Sequence, residues 1–187
     1  MIITAALKEW SVAVDALAAG KTILLLRKGG IKEEKGRFST ESDKVILFPT
    51  FEHQKPHLLK PKYQNQVTPV ESGWHPKIIR LTAWADITHI FRTKSLEQVN
   101  ALSDFHIWQP QLAVERLKWK ANQPLYVLAL RVYGLDETIE LEWKKSYGGC
   151  RSWIGLEEEI RCDESNAAIA ETAYRNQVEA ISNILSV

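Results

Sequence analysis

Cysteine is scarce in this chain, which has only Cys150 and Cys162 among its 187 residues. Two cysteines are too few for a disulfide framework, so we expect a reduced, cytoplasmic protein. Long apolar runs are scarce as well, and none approaches the roughly 18 residues that a membrane-spanning helix needs, so no membrane partner is expected. Residues 1–4 carry no basic side chain ahead of an apolar stretch, which argues against a signal peptide.

An excess of charge of either sign is also lacking, since 24 basic and 23 acidic residues leave a net charge of +1. This balance excludes a strongly basic protein that coats nucleic acid. Residues 157–187 nevertheless hold seven acidic and two basic side chains, a balance of −5, which leaves residues 1–156 with 22 basic and 16 acidic side chains, a balance of +6. An acidic C-terminal element on a basic body binds back to it, shields it or is simply solvated.

Apolar residues are plentiful, at 45% of the chain with seven tryptophans, and they can build a large core. We predict a single α+β domain over residues 1–156, with an acidic C-terminal helix, residues 157–187, packed on it or appended to it. Strand and helix patterns are mixed without a βαβ rhythm, which favours the α+β class. The prediction is a mixed, mostly antiparallel sheet, or a small barrel of the PUA/ASCH type, with flanking helices.

Hydrophobic periodicity and turn residues predict elements along the whole chain. The predicted helices cover residues 2–19, a short segment capped by Ser95, 110–119 and the amphipathic segment 165–185. The predicted strands cover residues 22–26, 44–48, 77–91, 125–133, 138–143 and 152–156. Gly20 is interpreted as the stop of the first helix and Pro49 as the end of a strand. Gly134 is interpreted as the turn of a hairpin.

A basic glycine turn, Arg27-Lys28-Gly29-Gly30, follows an apolar strand pattern. Consecutive backbone N–H groups after a strand can form an anion-binding nest, and an arginine adds two-pronged phosphate recognition. These four residues are therefore candidates for binding a phosphate group. The alternative is a charged hairpin turn that uses glycine for a left-handed backbone. The glycine–lysine spacing of a Walker phosphate loop is not present.

Glu52 and His53 are neighbours and are the candidates for a catalytic acid–base pair. On a helix, His53 and His57 would share a face and could bind zinc. Pro56 interrupts that turn, and no third ligand lies at a telling spacing, so surface or structural histidines are the alternative. We predict neither a metal nor another cofactor.

The segment 147–153 is a glycine-hinged loop in which Arg151 stands beside the thiol of Cys150 and close to the indole of Trp153. Such a loop could supply a cation and a stacking surface to a nucleotide base. Cys150 could act as a nucleophile only beside a base that forms its thiolate. The alternative is core packing by Trp153 with a buried, inert Cys150. Trp74 lies in a polar segment, where an exposed indole suits base stacking or contact with a partner.

Several separate segments resemble a known family when they are taken together. They are Lys8-Glu9-Trp10, 25–31, 47–50 followed by Glu52-His53-Gln54, His106-Ile107-Trp108, 124–128 followed by 130–133, and 147–153. They are similar to a bacterial family, common in cyanobacteria, that is known only by a domain of unknown function, number 1802. The resemblance runs from about Lys8 to Leu156.

The resemblance implies a connection with restriction, because some members of the family look fused to a restriction-endonuclease-like domain. This chain has no room for such a domain, so its expected part is recognition or regulation. Residues and resemblance together favour an uncharacterised bacterial, non-catalytic module that binds nucleic acid or a nucleotide and serves a restriction or DNA-defence system. A protein of that system is a further expected partner.

Two alternative functions stay open. One is a small hydrolase or nucleotide-processing enzyme that uses Glu52 and His53. The other is a protein-interaction domain whose acidic C-terminal helix docks a partner. No complete catalytic motif in the sequence decides for an enzyme.

Overall fold

The structure is a computed structural model that describes residues 1–29, 31–34, 37–40 and 42–186. Its strands are β1 (Ile2–Trp10), β2 (Leu24–Arg27), β3 (Lys32–Glu34), β4 (Arg37–Ser39), β5 (Lys44–Thr50), β6 (Ile78–Thr93), β7 (Leu125–Glu142) and β8 (Trp153–Arg161). Its helices are α1 (Ser11–Ala18), α2 (Pro61–Gln64), α3 (Leu96–Ala101), α4 (Pro110–Lys118) and α5 (Glu171–Leu185), with single 3-10 turns at Pro56–Leu58, Ser103–Phe105 and Lys145–Tyr147. A helix that could span a membrane is not found among the described residues.

Six strands form one open sheet in the order β2-β7-β6-β5-β1-β8, and β3 pairs with β4 in a separate hairpin. Every neighbouring pair in the large sheet is antiparallel except β1 and β5, which run parallel. The predicted α+β class with a mixed, mostly antiparallel sheet is therefore confirmed. Of the two predicted arrangements the sheet is the one formed, because β2 and β8 lie at its opposite edges and leave it open rather than closed into a barrel.

The helix predicted over residues 2–19 is wrong in its first half, where β1 runs to Trp10 and α1 begins only at Ser11. β1 lies between β5 and β8, and its Ala6 and Leu7 are buried in different cores on the two faces of the sheet. A strand covered on both faces reads as a continuous apolar run, which periodicity alone does not separate from a helix. Gly20 ends the α1 turn as predicted, with a left-handed φ of 64°.

The hairpin predicted around Gly134 is also wrong, because residues 125–142 form the single strand β7. β7 pairs with β6 on both sides of an irregularity, because the register passes from Leu81 opposite Ile139 to Ala83 opposite Gly134. Glycine within a strand pattern often marks such a bulge rather than a turn. Pro49 does not end β5 either, because the strand continues to Thr50. β5 pairs with β6 only from Lys44 to Ile46, so Pro49 lies beyond that pairing. The missing N–H of Pro49 therefore costs no bond to β6.

Two apolar cores cover the two faces of the sheet. Alternate residues of β5 supply them, with Val45 and Leu47 in the main core and Ile46 and Phe48 in the second. The predicted C-terminal helix begins at Glu171, later than predicted, and α5 packs into the main core through buried residues that include Ile181. Residues 157–161, which the sequence assigns to the C-terminal element, continue β8.

A buried histidine, His106, lies just before α4. Its side chain is 5% exposed, and its Nδ1 accepts a hydrogen bond from the backbone N–H of Trp108 at 3.2 Å. Burial, helped by the positive charge of Lys60, lowers the pKa of His106 from 6.5 to about 4. The folded protein therefore keeps this imidazole neutral at a pH where the unfolded chain protonates it.

We expect the protein to lose about 2 kcal/mol of stability through His106 between pH 7 and pH 5. Protonation favours the unfolded chain, so this contribution is full above the unfolded pKa and is lost as the pH falls toward the folded value. Urea titration at the two pH values measures it. His106→Asn is the control, because its side-chain oxygen can still accept the N–H of Trp108 and does not titrate. A wild-type pH dependence no steeper than that of His106→Asn would contradict the prediction.

Candidate functional site

A cleft opens where the two parallel strands end. Because β1 and β5 run in the same direction, their last residues, Trp10 and Thr50, lie at the same end of the sheet. The segment that precedes β8 reaches this end as well. Crevices at the carboxyl ends of parallel strands are a recurrent place for ligands. The cleft consists of two adjoining hollows of about 440 and 480 Å³, which share the lining residues Lys8, Thr50, Glu52, Gly73 and Gly149.

The first hollow, which we call the aromatic half, is lined by Phe48, Phe51, Trp74, His75, Trp143 and Tyr147 among others. Trp74 is 46% exposed and meets Phe51 edge to face, with ring centroids 5.9 Å apart. His75 stacks on Trp143 at 3.5 Å with only 4° between the ring planes. The exposed position predicted for Trp74 is thus observed, and flat ring surfaces form this wall of the cleft.

The second hollow, which we call the basic half, is lined by four basic side chains and two carboxylates; these are Lys8, Arg27, Arg116, Arg151, Glu9 and Glu52. Glu9 binds Arg27 at 2.8 Å, and the two side chains are only 10% and 11% exposed. Burial lowers the pKa of Arg27, and the carboxylate of Glu9 opposes that shift. With Arg27 neutralised by Glu9, the remaining charge of the described lining residues is positive.

Lys8 supports the glycine loop that borders both halves. Its Nζ donates to the carbonyl oxygens of Tyr147 and Gly149, each at 2.7 Å. Burial and the nearby positive charge of Arg151 lower the pKa of Lys8. An anion placed between Lys8 and Arg151 would relieve their mutual repulsion.

Glu52 lies at the junction of the halves and accepts a hydrogen bond from the backbone N–H of Gly73. Gly73 has a left-handed φ of 87°, and the next residue is Trp74. Glu52 therefore fixes the turn that presents the exposed indole. His53 is exposed in the basic half with a φ of 60°, which is uncommon for a residue other than glycine.

A metal site is not supported by the side chains that the structure describes. Within those residues, His, Cys, Asp and Glu nowhere gather in a group of three that could hold a metal ion. His57 lies in the 3-10 turn Pro56–Leu58 rather than on an α-helix with His53. The helical zinc spacing is therefore not formed.

Arg27 and Lys28 of the basic glycine turn point to different places. Arg27 faces the basic half, whereas Lys28 is 2% exposed and its Nζ donates to the carbonyl oxygens of Gln123 at 2.6 Å and Leu117 at 3.4 Å. These bonds direct the Lys28 ammonium to the end of α4 and the loop after it. Burial lowers the pKa of Lys28, and the two carbonyl oxygens partly compensate the burial of its charge. Gly29 is exposed, and Gly30 lies outside the described residues.

The loop before β8 exposes Cys150, whereas one of its two interpretations buries that thiol. Cys150 is exposed and lines the basic half, so the prediction of a buried Cys150 is wrong. Trp153 is buried at the start of β8, as that interpretation expects. The buried thiol is that of Cys162, whose pKa burial raises to about 11. Arg151 is exposed in the basic half and donates to the carbonyl of Ser146 at 2.6 Å.

The structure brings six of the candidate residues to one cleft, namely Arg27, Glu52, His53, Trp74, Cys150 and Arg151. Sequence reasoning missed Lys8, Glu9 and Arg116, although the first two belong to a segment that carries the family resemblance. In the first turn of α1, the N–H of Val12 is already bonded to Gln54 Oε1 at 3.3 Å.

Residues 6–180 match the family model described as domain of unknown function (DUF1802). The chain belongs to the DUF1802 family. The DUF1802 match extends beyond Leu156, where the resemblance was expected to stop, and includes more than half of α5. Both halves of the cleft therefore lie within the DUF1802 region. Comparison with curated proteins and with solved structures finds no match.

Proposed function

We propose that this DUF1802 protein is a non-catalytic module that binds a nucleotide or a nucleic-acid strand in the cleft. The observation that carries the proposal is that an aromatic wall and a positively charged wall adjoin in one cleft at the carboxyl ends of β1 and β5. Proteins that bind single strands combine a basic groove, which follows the phosphates, with aromatic rings on which bases stack. Neither surface by itself would favour a nucleic acid.

The proposal includes service in a bacterial restriction or DNA-defence system. It rests on the resemblance described above, which implies that some members of the family are fused to a restriction-endonuclease-like domain. In that setting the cleft would recognise the nucleic acid rather than cleave it.

We expect the purified protein to bind short single-stranded DNA with an affinity that falls as salt concentration rises, because phosphate contacts release counterions. Arg151→Ala should weaken binding and reduce the slope of log affinity against log salt by about 0.7, the value for one lost contact to a single strand. Fluorescence polarisation with single-stranded DNA, duplex DNA and RNA across a salt series measures both effects.

Arg175→Ala is the matched control, since Arg175 is exposed on α5 and pairs with Glu171 rather than with the cleft. It should leave affinity and salt slope unchanged. Binding that does not respond to salt, or that Arg151→Ala and Arg175→Ala weaken equally, would contradict the proposal.

A second candidate is a small hydrolase or nucleotide-processing enzyme. The observation in its favour is that Glu52, His53 and the exposed Cys150 line the same half of the cleft. His53 also has an unusual left-handed backbone, and such conformations cluster at functional sites.

Glu52→Gln and Glu52→Ala separate the two candidates. A glutamine oxygen can still accept the N–H of Gly73 but cannot act as an acid or base, so we expect Glu52→Gln to bind strands like the wild type. Glu52→Ala should weaken binding, because the Trp74 turn loses its anchor. Phosphate release from nucleotides by the wild type that Glu52→Gln abolishes would favour the enzyme instead.

A further inference from the structure

We propose, resting on the proposed function, that the cleft takes one unstacked nucleotide, with its base in the aromatic half and its phosphate in the basic half. The ligand is either a free nucleotide or one residue of a single strand, and the chemistry is the same in both. The two hollows adjoin and share five lining residues, an arrangement that suits a base and a phosphate joined by one sugar.

The aromatic half is shaped for a planar ring. A base needs a flat apolar surface that is open to solvent before it binds. Trp74 offers such a surface, because it stays 46% exposed while Phe51 holds it edge to face. His75 stacks on Trp143 with ring centroids 3.5 Å apart, and this pair adds further flat ring surface to the same wall.

The basic half can hold the phosphate through Arg151. Arg27 is bound to Glu9, and the Nζ of Lys8 donates two hydrogen bonds to loop carbonyl oxygens. Arg151 is exposed and lines the same hollow as Lys8, and its positive charge lowers the pKa of Lys8. A phosphate oxygen between Arg151 and Lys8 would meet two cations without breaking either loop bond.

The junction between the halves is open. Gly73 and Gly149 both border it in left-handed conformations, and a Cβ placed on either would meet no atom within 4 Å. The sugar that joins base and phosphate would pass over these two glycines. Glu52 supports the arrangement as a positioning residue, since it fixes Gly73 ahead of Trp74.

The test compares a short oligothymidylate with an abasic strand of the same length, and thymidine monophosphate with deoxyribose 5-phosphate. Fluorescence polarisation measures the strands, and calorimetry measures the small ligands. We expect removal of the bases to weaken binding to the wild type by about 10-fold or more. Trp74→Ala should show the same loss with the normal ligands and no further loss with the abasic ones. Trp119→Ala is the aromatic control, because Trp119 is 53% exposed outside the cleft.

The outcomes separate this inference from the proposed function. Equal affinities for normal and abasic ligands, or equal losses with Trp74→Ala and Trp119→Ala, overturn the base position and leave strand binding intact. Tighter binding of duplex DNA than of the single strand overturns the unstacked nucleotide. Failure of every ligand to bind at low salt overturns the proposed function together with the inference.

Discussion

Replacing Glu9 with glutamine is expected to destabilise the fold by about 3 kcal/mol, because it leaves the charge of Arg27 buried without its partner. The two side chains form an ion pair of 2.8 Å and are each about nine-tenths buried. Burial of a guanidinium is costly unless a carboxylate and hydrogen bonds compensate it, and the amide of glutamine supplies no charge. Urea denaturation of wild type and Glu9→Gln measures the loss.

The matched control is Glu140→Gln, which breaks the pair of Glu140 with Arg80 at 3.0 Å. Those side chains are 55% and 72% exposed, so the expected loss is below about 1 kcal/mol. The double variant Glu9→Gln/Arg27→Gln should be more stable than Glu9→Gln, since it removes the unpaired charge. Equal losses for Glu9→Gln and Glu140→Gln would show that Arg27 gains solvent or another partner once Glu9 is changed.

The change Gly20→Ala should lower stability by about 3 kcal/mol, through backbone strain and overpacking together. Gly20 has a φ of 64°, and an added Cβ would lie 2.5 Å from the side chain of Ile169 and 2.6 Å from the carbonyl oxygen of Ala168. The backbone oxygen cannot turn aside as a flexible side chain does. For a domain of this size the melting temperature should fall by roughly 6–12 °C, which calorimetry measures.

Gly155→Ala is the control for Gly20→Ala. Gly155 lies in β8, and a Cβ added there would meet no atom within 4 Å. Its expected effect is within about 0.5 kcal/mol of zero. A melting temperature for Gly20→Ala close to that of Gly155→Ala would mean that the segment before α5 moves away from Gly20 at little cost.

Elements that depend on their own sequence could be predicted, and elements that depend on distant partners could not. α4 begins at Pro110, and Ser95 caps α3 by accepting the N–H of Gln98 at 3.2 Å, both as predicted. β1 was beyond local reasoning, because its conformation is decided by pairing with β5 and β8 later in the chain. β7 likewise continues past Gly134 because β6 pairs with it on both sides of the bulge.

The same division applies to the cleft. Glu52, Trp74 and Arg151 could be selected from the sequence, because each is a charged or aromatic side chain in a segment that reads as a loop. Their meeting could not be predicted, since it requires the parallel placement of β1 beside β5. The fate of Lys28 could not be predicted either, because the carbonyl oxygens that receive its ammonium come from the end of α4 and the loop after it.

The order of strands in the sheet has a consequence for synthesis of the chain. β1 is synthesised before both of its neighbours in the sheet, β5 and β8, and β8 ends only at Arg161. Pairings between such distant segments form slowly, because a long loop must close before any contact rewards it. The apolar residues of β1 therefore wait for most of the chain to be made. During that interval β1 carries unpaired backbone groups and apolar side chains that can associate with the wrong strand.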